Sequence, residues 1–409
     1  MPKLIHLIIG LGLIVGGCNA ASLQPKVEVG AEVLLDEHLP KLEGKRVGLV
    51  MNPTARVGGS HMLDTLLARD VNVTALFAPE HGFRGDVGAG ETIKEGIDQD
   101  TGLPVYSLYG STRKPTSEML DSVDILLFDM QDVGARFYTY NATMGNVLEA
   151  AAADSVPVWV LDRPNPAGGK LISGWMMQKQ HQSFVGRYSI PMVHGMTLGE
   201  LAKMIVGEQW VNSAGQAQLK VIPMEGWKRS MKWPQTGLEW IPPSPNLPTF
   251  EHAFIYLGTV FFEGINISEG RGTSDPFLKI GSPTTKLTSN HIAELRRLFS
   301  GVQVERISFM PQSMPGKAPH PDFEGQRCYG LEIQVTDPNR FDPVKLGAKL
   351  LRVMMDATPN AELNNYIQKL VGINKSELLS QLDNEAYLKT WKQTARKFAE
   401  QRKPYLIYD

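Results

Sequence analysis

Glu80, His81 and Arg84 sit together in the stretch PEHGFRG, a carboxyl, an imidazole and a guanidinium crowded among glycines. A carboxyl beside an apolar wall can hold its proton toward neutral pH and serve as a general acid. The same group could instead pair with Arg84 and merely hold the loop. His81 suits orientation of the acid, or a hydrogen bond to a sugar hydroxyl. The usual metal signals are missing, since no HExxH or paired Cys/His spacing occurs and the other histidines, His194 among them, are scattered. No resident metal and no cofactor are therefore expected.

Further polar clusters recur along the chain. FDMQDVGARFYTY carries Asp129, Gln131, Asp132, Arg136 and Tyr138. Arg136 could clamp a carboxylate with two parallel hydrogen bonds, and Tyr138 could stack on a sugar or hydrogen-bond to it. NPT supplies Asn52, and LDRPNPAGG supplies Asp162, Arg163 and Asn165, the last held between two prolines. FFEGINISEGRGTSDPF brings Glu263, Asn266, Ser268, Glu269 and Arg271 together, a set suited to a polyhydroxylated or anionic ligand. Each cluster also has a plainer account as a satisfied loop or a turn with solvated charges.

The elements around these clusters explain why they could converge. From Gly44 to about Pro166, short aliphatic runs (KRVGLVM, VNVTALFA, LPVYSLYG, DILLFDM, VPVWVLD) alternate with helical spacing (HMLDTLLARD, TSEMLDSV, NATMGNVLEAAAADS). Near-continuous apolar strands separated by helices predict a doubly wound α/β domain, Rossmann-like, with a parallel sheet covered on both faces. The carboxyl ends of such strands share one edge, where ligands bind. Asn52, Glu80, Tyr109, Asp129 and Asp162 all fall at or just beyond those ends. Thr197 and Glu200 fit a capping box that opens a helix. After a loop rich in Trp and Pro, a domain boundary is expected near residue 245. The division is 22–245 for the Rossmann-like catalytic domain and 246–409 for a smaller α+β domain that completes the cleft. In that second part AFIYLGTVFF and LEIQVTD read as strands, and three longer stretches as helices.

Composition narrows the class. The 409 residues carry 41 basic and 43 acidic side chains, a net charge of −2, so no global field attracts nucleic acid or an anionic membrane. No GxGxxG follows the first strand and no GxSxG elbow occurs, which speaks against a nucleotide ligand and an α/β-hydrolase. The first 21 residues read as an export signal, because the apolar run is far shorter than the roughly 20 residues of a membrane span. VGGC resembles a lipoprotein signal, making Cys18 the expected lipid acceptor and the cell envelope, on the periplasmic side, the expected location. The membrane is then touched only through that anchor. Cys328, the only other cysteine, reads as a small buried hydrophobe in a strand.

Taken in order, NPT, PEHGFRGD, TGLPVYSLYG, FDMQDVGARFYTY, LDRPNPAGG, PMVHGMTLGEL and EGINISEGRGT resemble the bacterial exo-β-N-acetylmuramidase family, long catalogued as a domain of unknown function. The resemblance runs from about Leu42 to the C-terminal KPYLIYD. It implies a glycosidase that releases terminal, non-reducing β-1,4-linked N-acetylmuramic acid from peptidoglycan fragments in a cleft between the two domains. By motif, Glu80 would be the leading catalytic carboxylate, with His81 beside it; the second group could be Glu263, Glu269 or Asp129. Asn52, Arg84, Asp129, Gln131, Arg136, Tyr138, Asn165, Asn266, Ser268 and Arg271 would build the sugar site, and an arginine among them should meet the lactyl carboxylate. Glycoside cleavage needs an acid for the leaving oxygen and a group that stabilises an oxocarbenium-like centre, whether a carboxylate or the substrate's own acetamido group. Two rivals differ in kind. One is a non-catalytic, lipid-anchored binder of wall fragments; the other is a metal-dependent hydrolase or deacetylase using His81, His194 and an Asp.

Overall fold

The computed structural model describes residues 26–84 and 96–409; the export signal and Cys18 lie outside them. Among the described residues, eleven strands fall in the first part: β1 (Val47–Met51), β2 (Arg56–Val57), β3 (Ser60–His61), β4 (Val73–Ala78), β5 (Gly96–Ile97), β6 (Pro104–Ser107), β7 (Ile125–Asp129), β8 (Val158–Leu161), β9 (Ser173–Met176), β10 (Pro191–Val193) and β11 (Leu219–Ile222). Seven of them form one sheet in the order β11-β8-β7-β1-β4-β6-β5. Every neighbouring pair is parallel except β5 with β6 at the edge. The chain runs from β1 outward through β4 to β6, then returns to the other side of β1 and runs outward through β7, β8 and β11. The direction therefore reverses between β1 and β7, and ligands of such sheets bind at that kind of switch point, beyond the carboxyl ends.

All five residues of β1 and of β7 are buried, so neither strand alternates apolar with polar. Alternate side chains feed two separate cores. Val50, Phe77, Leu126 and Phe128 pack on one face. Leu49, Leu76, Ile125 and Leu127 pack on the other. The helix Tyr140–Ala153 covers the first face and Met62–Leu67 the second.

The C-terminal part holds an antiparallel sheet of β12 (Lys279–Ser282), β13 (Val302–Phe309) and β14 (Cys328–Val335), with β14 central. Cys328 is buried in β14, where burial pushes its thiol up to about 11. The stretch AFIYLGTVFF is not a strand. It lies in the helix Phe250–Thr259, continued by a tight turn over Val260–Gly264. Nine of the ten residues of that helix are buried, so its sequence lacks the polar face that marks an amphipathic helix, and a short buried helix and a buried strand then look alike. One apolar core runs without a break from the sheet face through this helix into the C-terminal sheet.

Candidate active site

Between the carboxyl edge of the large sheet and the C-terminal part lies a cleft of about 670 Å³, lined by residues from Glu80 to Leu247 and from Tyr256 to Lys369. Glu80 stands on the turn that ends β4. Pro79 and Gly82 close this turn through a 3.0 Å hydrogen bond from Gly82 N–H to the Pro79 carbonyl. His81, at its third position, has φ +74° and Gly82 has φ +80°. A positive φ at that position is what a type II turn requires, and a glycine is the usual occupant. A buried histidine held there stores strain, a feature that clusters at functional sites.

Glu80 is half-buried and lines the cleft. Thr139 Oγ1 donates to its Oε2 at 2.8 Å, and the Tyr109 hydroxyl is raised first by burial and then by the nearby Glu80 charge. Tyr140 donates to the Glu80 carbonyl at 3.3 Å. Among the described residues no cation pairs with the Glu80 carboxylate. Thr139 and Tyr140 follow β7 and Tyr109 follows β6, so groups from beyond two other strands surround the β4 turn that carries Glu80.

Glu263 and Glu269 line the same cleft, both bound to Arg271, at 2.5 Å and 2.7 Å. Burial pushes the Glu263 carboxyl up; Arg271 opposes that shift, and the nearby charges of Glu269 and Glu80 add to it. The two influences on Glu263 conflict, a short ion pair against a raised affinity for protons. One guanidinium shared by two carboxylates, with a third carboxylate in range, cannot neutralise all of them. Burial and the neighbouring negative charges therefore leave the Glu263 carboxyl holding its proton more readily than an ordinary carboxylate does. Tyr256 and Tyr366, buried or half-buried beside it, have their hydroxyls raised first by burial and then by Glu263.

Of the residues expected from sequence, Glu80, His81, Tyr138, Glu263, Glu269 and Arg271 reach the cleft. The others do structural work elsewhere. Arg84 pairs with Asp98 at 2.9 Å and Asp100 at 3.6 Å, so it neither holds Glu80 nor awaits a substrate anion. Arg136 is 1% exposed and donates to the Trp175, Ile190 and Leu370 carbonyls, tying the two parts of the chain together. Asp129 forms a fully buried ion pair with Arg163. Gln131 donates to the Asp132 and Pro164 carbonyls, and Asn52 accepts from the Thr54 backbone and hydroxyl. Asn165 braces the PNPAG turn through Ala167 N–H and the Met196 carbonyl, and a side chain on Gly134 would collide with its amide. Asn266 bridges to the Asn360 and Glu362 backbone, and Ser268 accepts from Gly270 N–H. These polar groups read from sequence as recognition residues because a group that satisfies backbone and one that meets a ligand use the same chemistry.

His194 lies outside the cleft lining, so it does not join His81 at a common centre. Burial lowers it to about 3, which keeps the ring neutral, and its Nδ1 accepts from Met196 N–H. Asp162 does not pair with Arg163's guanidinium; its carboxylate accepts from Thr197, Gly199 and Tyr408. Sequence reasoning missed Thr139, Arg113, Tyr256, Tyr366 and Lys317 as cleft residues. Thr139 lay within a motif already singled out, whereas the rest occupy stretches with no local signal.

A Rossmann-like sheet joined to an α+β part, with four carboxyls and several tyrosines among the described residues lining the cleft between, has the make-up of a sugar-processing protein. The comparisons make the family specific. Residues 47–251 match the N-terminal and residues 254–408 the C-terminal family model of the exo-β-N-acetylmuramidase NamZ. The chain is 42% identical to the peptidoglycan β-N-acetylmuramidase NamZ of Bacillus subtilis (strain 168), over 95% of this chain and 93% of that protein. Two crystal structures of DUF1343 family proteins from Bacteroides fragilis NCTC 9343 superpose with TM-scores of 0.82 and 0.76 at 35% and 34% identity. Each covers 94% of this chain and 99% of the solved one. The protein belongs to the exo-β-N-acetylmuramidase NamZ family.

Proposed function

We propose that this protein is an exo-acting glycosidase that releases N-acetylmuramic acid from the non-reducing end of peptidoglycan fragments, cutting a β-1,4 bond. Its family and its 42% identical relative support the activity. Glu80 is the acid that protonates the departing glycosidic oxygen as the bond to the anomeric carbon breaks, and a water molecule completes the hydrolysis. Glu263, held by Arg271, is the second carboxyl of the pair and meets the positive charge that develops on the sugar ring. The observation that carries this assignment is a carboxyl with a hydroxyl partner and, among the described residues, no counter-cation, in one cleft with an arginine-bridged carboxylate pair. His81 fixes the turn that presents the acid.

General-acid help is worth about 10²- to 10⁴-fold, and most where the leaving group is a poor one. Glu80→Gln is therefore expected to cut release from a disaccharide by about that factor. On a 4-nitrophenyl glycoside, whose leaving group departs unaided, the loss should be much smaller. An equal loss on both substrates would remove Glu80 from the acid's role. A binder without catalytic function would show neither turnover nor this contrast. Export as a lipoprotein anchored through Cys18 belongs to the same proposal and would bring the enzyme to its polymer; metabolic labelling with a palmitate analogue, lost in Cys18→Ser, checks it.

A further inference from the structure

N-acetylmuramic acid differs from its partner sugar by a lactyl ether that ends in a carboxylate, so an enzyme selective for it must offer a cation. The three arginines that sequence motifs put forward are all occupied: Arg84 by Asp98 and Asp100, Arg136 by backbone carbonyls, Arg271 by Glu263 and Glu269. Among the described residues, the cleft holds three cations with no acidic partner: Arg113, Lys317 and Lys369.

We infer that Arg113 recognises the lactyl carboxylate and sets the preference for muramic acid over the sugar that lacks it, a conclusion that rests on the proposed activity. The Arg113 guanidinium lies over the Phe184 ring, 4.7 Å from its centroid. Its main-chain carbonyl accepts from Asn146 Nδ2 at 2.7 Å. Ring and anchor hold the flat fork in place while leaving its edge exposed. A planar fork fits a carboxylate with two parallel hydrogen bonds, which the single ammonium of Lys317 or Lys369 cannot do.

Placement agrees with the chemistry. Tyr109 lies beside Glu80, whose charge raises its hydroxyl after burial, and its ring sits 6.3 Å from that of Phe184. The Tyr109 hydroxyl also feels the Arg113 charge. Glu80, Tyr109, Phe184 and Arg113 thus follow one another along a single wall of the cleft. The acid acts on the oxygen at C1, and the lactyl ether leaves C3, with one ring carbon between the two and its carboxylate reaching outward from there. An anion site should accordingly stand about a sugar's width from the acid, and this wall supplies one.

The test measures binding and turnover separately. By calorimetry, the Glu80→Gln protein should bind N-acetylmuramic acid more tightly than N-acetylglucosamine. Adding Arg113→Gln should weaken the first by about 10- to 100-fold, bring the two affinities together, and leave Arg113→Lys in between. High salt should narrow the same gap, because an exposed charge pair is screened. A retained preference in Arg113→Gln, or one lost in Lys317→Gln or Lys369→Gln instead, would overturn the assignment. Equal weakening for both sugars would also overturn it, by marking Arg113 as a support of the wall. Turnover of the unaltered enzyme on a muramyl glycoside judges the activity independently. Were it absent while the binding contrast persisted, the glycosidase proposal would fail and the anion site would stand.

Discussion

Asp132 shows how a single carboxyl at the edge of the site connects charge to stability. It is 7% exposed, and burial raises it to about 7, against the Gly134, Ala135 and Val133 amides that favour the charged form. An unfolded aspartate titrates near 3.9, so the native state holds the extra proton between the two values. The sign follows from linkage: this group's contribution is complete below about pH 4 and is lost as pH rises to about 7. Asp162, raised to about 6, adds to the same slope. Asp132→Asn, which keeps an acceptor for Gly134, should therefore raise Tm most at pH 7 and little at pH 4. Equal gains at both would show that Asp132 is charged throughout. Glu269 illustrates the same logic for activity. Without its charge, Arg271 pairs with Glu263 alone and the Glu263 carboxyl releases its proton more easily. Glu269→Gln should shift the acid limb of kcat/KM, where Glu263 must ionise, to lower pH; a shift upward would contradict the shared-guanidinium account.

At the scale of elements, strand ends carry function because their own polar groups are first secured. β7 ends at Asp129, whose charge is buried and answered by Arg163 from the end of β8. That pair fixes two adjacent strand ends and leaves the β4 turn to present Glu80. Breaking a buried pair from one side strands the other charge, at a cost of about 3–5 kcal/mol. Arg163→Met should lose about that much in denaturant unfolding, with Arg163→Met/Asp129→Leu recovering a large part of it. The β4 turn has the opposite character, since His81 adopts a conformation better suited to glycine. His81→Gly should fold at least as stably as the parent yet release sugar more slowly, because a looser turn positions the acid less well. Loss of stability without loss of rate would mean that His81 packs and does not position.

The whole molecule is closed by its last residues. The helix Tyr387–Arg402 packs against β9, and Arg402 donates to the Gly169, His194 and Gly195 carbonyls. Beyond it, Ile407 N–H donates to Glu200 at 3.0 Å and Tyr408 OH to Asp162 at 2.6 Å. The C-terminus therefore returns to the capping box at Thr197 and Glu200 and to the end of β8, and the two walls of the cleft cannot separate freely. Tyr408→Phe, which leaves a buried carboxylate short of a donor, should cost about 1–3 kcal/mol. If that variant unfolded in two separate steps, the two parts would be less coupled than their shared core implies.

Local pattern alone determined a good deal. Buried aliphatic runs spaced by helices specify a parallel sheet, because only strands covered on both faces are apolar throughout, and that sheet forces its polar ends to one edge. Glu80 was legible for that reason, the Glu263, Glu269 and Arg271 cluster from its charges crowded among glycines, and the order of the motifs carried the family. Tertiary structure alone decided which polar groups were spent on the protein itself. Arg84, Arg136, Asp129 and Asn165 look like recognition residues in the sequence, but each found a partner within the fold. It also decided that Arg113, Thr139 and Tyr366 border one cleft and that AFIYLGTVFF is a helix. Partners distant in sequence make those assignments, and a hydrogen bond across a fold leaves no mark in the spacing of neighbouring residues.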